Sequence, residues 1–96
     1  KRLKQYNGIA QESSNKETLD AILLLARTEG IFTEPAGGVS VAVLKKMVED
    51  GKIDKDETTV CYVTGNGLKA TESLMEVLPK PQVMQADVAK ILAVVK

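Results

Sequence analysis

Two short stretches of this chain carry residues whose types and spacing could touch a ligand. The first is Val63-Thr64-Gly65-Asn66-Gly67-Leu68-Lys69, directly after the apolar run Thr58-Thr59-Val60-Cys61-Tyr62. A β-branched run that ends in a hydroxyl and two glycines reads as a buried strand entering a tight turn. In an open α/β sheet, ligands bind beyond the carboxyl ends of the strands. Thr64 therefore stands where a hydroxyl could meet a bound ring or anion. The second stretch is Glu34-Pro35-Ala36-Gly37-Gly38, which opens a helix. Backbone N–H groups at a helix start are unpaired, and the helix dipole favours anions there. Together the two turns point to one wall of a ligand site.

Each feature also has a plain structural reading. Gly37 and Gly38 can serve tight helix packing, and spacing by itself favours that. Glu34 is either a pocket carboxylate or a residue satisfying the helix N-terminus. Gly65, Asn66 and Gly67 are ordinary turn residues. Lys69 reads most simply as solvated, and it would counter an anion if it faced a pocket. No Gly-Lys-Ser/Thr follows the glycines, so this is not a Walker loop, and the dinucleotide fingerprint is absent.

Composition narrows the classes of function. The 96 residues suffice for one small domain, and 44% of them are hydrophobic. Thirteen basic and 13 acidic residues cancel, so no global field attracts nucleic acid or an anionic membrane. No run approaches the ~20 apolar residues of a membrane span. The chain has no histidine, which removes Ser-His-Asp triads and histidine metal sites. The single Cys61 sits in the apolar run and is expected to be a small buried core residue. One cysteine makes no internal disulfide and fits a reducing compartment. The chain opens on Lys1 rather than methionine, and an excised piece of something longer is expected.

The elements that position the two turns follow from periodicity. Gly8 to Glu12 is a candidate strand. Ser14 with Glu17 reads as a helix start, and Leu19, Ile22, Leu23 and Ala26 recur at helical spacing. Leu24 and Leu25 widen that face, so burial on more than one side is expected. Gly30 ends the helix in the left-handed region. Pro35 suits the first turn of a second helix, which bears Val39, Ala42, Val43, Leu44, Met47 and Val48 and stops near Gly51. Thr58 to Val63 is expected to be a strand. Thr71 to Val77 is a candidate helix, Pro79-Lys80-Pro81 is extended, and Gln82 to Met84 is a candidate edge strand. Asp87 starts a last amphipathic helix. The alternation argues for an α/β class with a partial parallel sheet and flanking helices.

The motifs resemble the threonine synthase family in its C-terminal region. The resemblance is carried by Ala26-Arg27-Thr28-Glu29-Gly30-Ile31-Phe32-Thr33-Glu34-Pro35-Ala36-Gly37-Gly38-Val39-Ser40-Val41-Ala42 and by Val63-Thr64-Gly65-Asn66-Gly67-Leu68-Lys69. It implies that residues 1–96 are a single C-terminal segment of a larger catalytic domain, in the large domain of the tryptophan-synthase β-like fold. It implies pyridoxal phosphate as cofactor, and conversion of O-phospho-L-homoserine and water to L-threonine and phosphate. The residue matching Thr64 offers its hydroxyl to the pyridine nitrogen. Gly65 and Asn66 belong to the same cofactor-binding turn, Glu34 lies near the ring, and no catalytic residue falls within the chain.

A neutral hydroxyl leaves the ring nitrogen largely unprotonated, where a carboxylate would hold a proton. The weaker electron sink should favour elimination and replacement over transamination. Two departures stand out. Ala70 follows Lys69 where the family often has Asp, and no lysine here has the Ser-Phe-Lys-Asp-like context of the Schiff-base lysine. The chain by itself is therefore expected to be inactive and to self-associate, most simply as a homodimer. A cytoplasmic location is expected, with a small-molecule substrate, no nucleic acid and no membrane. Alternatives are a fragment of a related dehydratase or racemase, where Ser tends to replace Thr64, and a non-catalytic α/β association module.

Overall fold

The computed structural model describes residues 2–95. In chain order it contains α1 (Arg2–Gln5), α2 (Asn15–Glu29), α3 (Pro35–Glu49), a 3-10 turn (Gly67–Lys69) and α4 (Val88–Val94). The helix boundaries follow local chemistry. Ser14 caps α2 in a capping box: its side chain accepts from the Glu17 N–H, and the Glu17 carboxylate accepts from the Ser14 N–H at 2.7 Å. Gly30 closes α2 with φ of 67°, and its N–H donates to the Ala26 carbonyl. Pro35 sits at the start of α3. The Asp87 side chain accepts from the N–H groups of Ala89 and Lys90 and so caps α4.

α2 and α3 pack against each other, and Glu17 near the start of α2 meets Lys46 near the end of α3 at 3.0 Å. The Lys46 ammonium also donates to the Glu12 carbonyl. The buried residues of α2 are Thr18, Ala21 and Ile22, and those of α3 are Gly37, Gly38 and Ala42. Small residues on α3 let the two backbones approach. A Cβ at Gly38 would lie 2.6 Å from Ile22 Cγ1 and 3.0 Å from the Thr18 carbonyl oxygen. Apart from Ile22, the larger apolar residues of both helices are not fully buried. Leu24, Val39 and Val48 are exposed, and Leu19, Leu23, Val43, Leu44 and Met47 are half-buried. The expected burial of α2 on several sides is thus not realised within this chain.

No strand ladder forms among the described residues. One antiparallel bridge, Thr33 with Asn66, is the sole β pairing there. The expected partial parallel sheet is therefore not seen. Thr58 to Val63 is extended along α3, with Val60 and Tyr62 outward and Cys61 and Val63 half-buried. Its side chains alternate as a strand's do, but no neighbouring segment supplies the partner N–H and C=O groups. Gly8 to Glu12 and Gln82 to Met84 are irregular for the same reason. Cys61 is free and half-buried rather than buried, since it lines a groove of about 250 Å³ beside Val43, Leu44 and Met47 of α3.

Thr71 to Val77 forms successive turns instead of a helix, with Leu74 buried. The segment's main-chain bonds are isolated turns, from the N–H groups of Leu74 and Met75 to the Thr71 carbonyl and from those of Val77 and Leu78 to the Leu74 carbonyl, rather than a continuous helical ladder. The radius of gyration is 18.2 Å, against about 12–13 Å for a compact domain of this length. The accessible surface is 8070 Å², against roughly 5,400 Å² for a compact monomer of this size. Much apolar surface is therefore uncovered within the chain. No helix among the described residues is long and apolar enough to cross a membrane.

The capping box makes a pH prediction. The Ser14 backbone bond, the Lys46 ammonium and the Ser14 hydroxyl lower the Glu17 carboxyl from 4.5 to about 2. Its stabilisation is complete above pH 4.5 and is lost as pH falls through about 2, because the folded state must then take up the proton. Glu17→Gln keeps an acceptor at this position but not the charge. Its stability deficit relative to wild type is expected to shrink between pH 4.5 and 2, read as denaturation midpoints at stepped pH. A deficit that stays constant over that range would count against the role given to the carboxylate.

Candidate functional site: two turns forming an open wall

The structure brings the two turns together. The Glu34 N–H donates to the Gly65 carbonyl at 3.0 Å, and the Gly67 N–H donates to the Phe32 carbonyl at 3.0 Å. Thr33 lies between them, fully buried, and its hydroxyl faces the Gly65 carbonyl at 3.1 Å and the Glu34 carbonyl at 3.2 Å. The glycines make this contact possible. The Glu34 carboxylate lies where a Gly65 Cβ would stand, and the Phe32 ring is 2.5 Å from the place of a Gly67 Cβ. The Thr33 hydroxyl occupies the place of a Gly37 Cβ, with Val63 beside it. Gly37, Gly38 and Gly67 thus act in packing.

Glu34 is the N-terminal boundary residue of α3, but its side chain makes no capping hydrogen bond. Instead its carboxylate pairs with Lys69 at 3.2 Å. Glu34 is mostly covered, at 18% side-chain exposure, while Lys69 keeps 68%. Lys69 is therefore a partner of Glu34 rather than a merely solvated lysine. Asn66 is exposed, and its side-chain oxygen accepts from the Leu68 N–H at 2.9 Å, which caps the 3-10 turn. Thr64 is exposed, and among the described residues its hydroxyl has no hydrogen-bond partner.

Of the residues singled out in the sequence, Glu34, Gly65 and Asn66 converge with Lys69, and Thr64 sits on the outer side of the same turn. Sequence reading missed Thr33 and Phe32. Both lie in a stretch too short to signal its own structure, and no local pattern marks them. Neither of the two grooves described here is lined by Glu34, Thr64, Gly65 or Asn66. The groove between α2 and α3, about 300 Å³, is walled by Glu17, Asp20, Arg27, Lys45, Lys46 and Glu49. The two turns make an open surface rather than an enclosed pocket.

Residues 1–65 match the family model described as pyridoxal-phosphate dependent enzyme. The chain belongs to that family. Pyridoxal phosphate is the cofactor that the family implies. This pyridoxal-phosphate enzyme segment is 40% identical over 89 residues to a protein named threonine synthase from Methanocaldococcus jannaschii, a match covering 93% of this chain and 22% of that protein. It is 42% identical over 84 residues to a threonine synthase from Halalkalibacterium halodurans, covering 86% of this chain and 24% of that one. With a Bacillus threonine synthase the identity is 51% over 65 residues, covering 68% of this chain and 18% of the relative. The chain thus spans less than a quarter of the length of these relatives.

The donor set at the turn fits a pyridine ring. A neutral, exposed hydroxyl is available at Thr64, and Lys69 already balances the nearby Glu34 carboxylate. A ring nitrogen beside this turn would meet no uncompensated carboxylate from it. When bound, the cofactor supplies carbanion stabilisation.

Proposed function

We propose that this chain is a C-terminal segment of a threonine synthase, in the large domain of a tryptophan-synthase β-like fold. The parent enzyme converts O-phospho-L-homoserine and water to L-threonine and phosphate. The observation that carries this reading is the 40% identity to a threonine synthase over 93% of the chain. It gains support from the contact between the turns at 34–38 and 64–69, the two motifs that bear the resemblance.

In this reading Thr64 meets the pyridine nitrogen with a neutral hydroxyl, which can donate or accept but holds no charge. Gly65 lets the main chain and the Glu34 carboxylate lie close together at the ring edge. Asn66 holds the turn through its bond to the Leu68 N–H. Glu34, paired with Lys69, keeps its charge compensated beside the ring. The Schiff-base lysine and the phosphate cup come from other parts of the enzyme, so residues 1–96 on their own are inactive. Other segments of the enzyme cover the exposed apolar faces of α2 and α3 and pair with Thr58 to Val63. The parent works in the cytoplasm on a small-molecule substrate, and the excised chain self-associates as a homodimer.

The complete reading frame that encodes this chain, expressed and loaded with cofactor, tests the assignment. Phosphate release from O-phospho-L-homoserine with matching threonine formation is expected. Deamination of serine or threonine without that phosphate release would place the protein among the dehydratases instead.

A further inference from the structure

The buried Thr33 hydroxyl is a group that the proposed chemistry has not used. The bridge between the two turns needs no hydroxyl, because the Glu34 N–H already donates to the Gly65 carbonyl at 3.0 Å. A valine would fill the same space. Yet the Thr33 hydroxyl lies 3.1 Å from that same carbonyl and 3.2 Å from the Glu34 carbonyl, so its one proton is shared between the two turns, and it is fully buried in a recess that exists because residue 37 is glycine. A carbonyl oxygen has two lone pairs. With one donor the peptide plane can still tilt; with two donors from different directions the tilt is restricted. That plane joins Gly65 to Asn66, so holding it fixes the course of the turn one residue beyond Thr64.

We infer that Thr33 is a positioning residue, whose hydroxyl bond to the Gly65 carbonyl orients the turn and so aims Thr64 at the cofactor ring. The inference rests on the reading that Thr64 faces the ring nitrogen. Thr33 touches neither cofactor nor substrate in this scheme and acts through the Gly65 peptide. Its buried place keeps water from competing for the carbonyl, which strengthens the bond's directing effect.

The test uses the full-length, cofactor-loaded protein with Thr33→Val, Thr33→Ser, Thr64→Val and the Thr33→Val/Thr64→Val pair. Three quantities are read: the pH dependence of the visible absorption of bound cofactor, kcat against KM, and the denaturation midpoint of the cofactor-free protein. Thr33→Val is expected to lower kcat by about fivefold to tenfold, roughly the effect of one hydrogen bond, with KM little changed. It should displace the absorption titration in the same direction as Thr64→Val. Thr33→Ser keeps a hydroxyl and should restore both. The double variant should match Thr64→Val alone, since Thr33 acts through Thr64.

If Thr33→Val lowers only the denaturation midpoint and leaves absorption and kcat as in wild type, Thr33 is a packing residue and the inference fails while the Thr64 assignment stands. If Thr64→Val itself moves neither absorption nor kcat, the placement of Thr64 at the ring fails, and the inference with it. Should Thr33→Val not fold, Thr33→Ala decides between the two roles, because it also removes the hydroxyl and adds no bulk. Absorption and kcat displaced toward those of Thr64→Val support positioning. Wild-type values of both overturn it.

Discussion

Replacing Thr64 with aspartate in the full-length enzyme is expected to lower threonine formation by about tenfold to a hundredfold, equivalent to ~1.4–2.7 kcal/mol of lost transition-state stabilisation. The physical cause is proton placement. Thr64 offers a neutral hydroxyl on the exposed side of its turn, and a hydroxyl at a pyridine nitrogen does not hold a proton there. An aspartate would, and the protonated ring is a deeper electron sink. That change should raise the share of transamination relative to replacement. The turn itself should survive, because its bonds come from the main chain of Phe32, Glu34, Gly65 and Gly67 and from the Thr33 hydroxyl, not from the Thr64 side chain. Product ratios in wild type and Thr64→Asp provide the readout. An unchanged rate together with an unchanged product partition would show that Thr64 does not face the cofactor.

Gly38→Val is expected to cost about 3 kcal/mol of stability, near the upper end for overpacking a close-packed contact. Even an alanine Cβ at this position would meet Ile22 Cγ1 at 2.6 Å and the Thr18 carbonyl oxygen at 3.0 Å. Ile22 is completely buried, and the Thr18 carbonyl is helix backbone, so neither can yield without moving α2 from α3. Removing glycine from a helix gains up to about 1 kcal/mol in propensity, which does not offset the clash. Denaturant titration of the full-length protein measures the loss. Gly38→Ala combined with Ile22→Ala should lose less than the sum of the two single variants, since one change relieves the other. A Gly38→Val variant as stable as wild type would mean that the two helices do not approach as closely as described.

These two expectations draw on different levels of the molecule, and so did the legibility of the sequence. The ends of α2, α3 and α4 were readable because their causes are local. Ser14 bonds to Glu17 three residues on, Gly30 takes the left-handed backbone that its missing Cβ allows, Pro35 needs no N–H at a helix start, and Asp87 caps the turn that follows it. The turns at 34–38 and 64–69 stood out too, because glycine and hydroxyl residues cluster there in a pattern resembling a known family.

Three matters were decided by tertiary structure. The first is the buried face of α3. The sequence offers a row of large apolar residues at Val39, Val43, Leu44 and Met47, but the contact with α2 uses Gly38 and Ala42. Small residues carry no hydrophobic signal, yet they permit the closest backbone approach. The second is the state of Thr58 to Val63. Its composition and alternation suit a strand, but a strand exists by pairing, and no described segment of this chain pairs with it. The third is the clamp around Gly65. Thr33 meets its carbonyl across 32 positions of sequence, and Lys69 reaches back to Glu34. Residue types by themselves determined where this chain can turn and cap a helix. Which hydroxyl is buried, which carboxylate is neutralised and which helix face is covered depend on segments far apart in sequence meeting in space, and only the folded chain decides that.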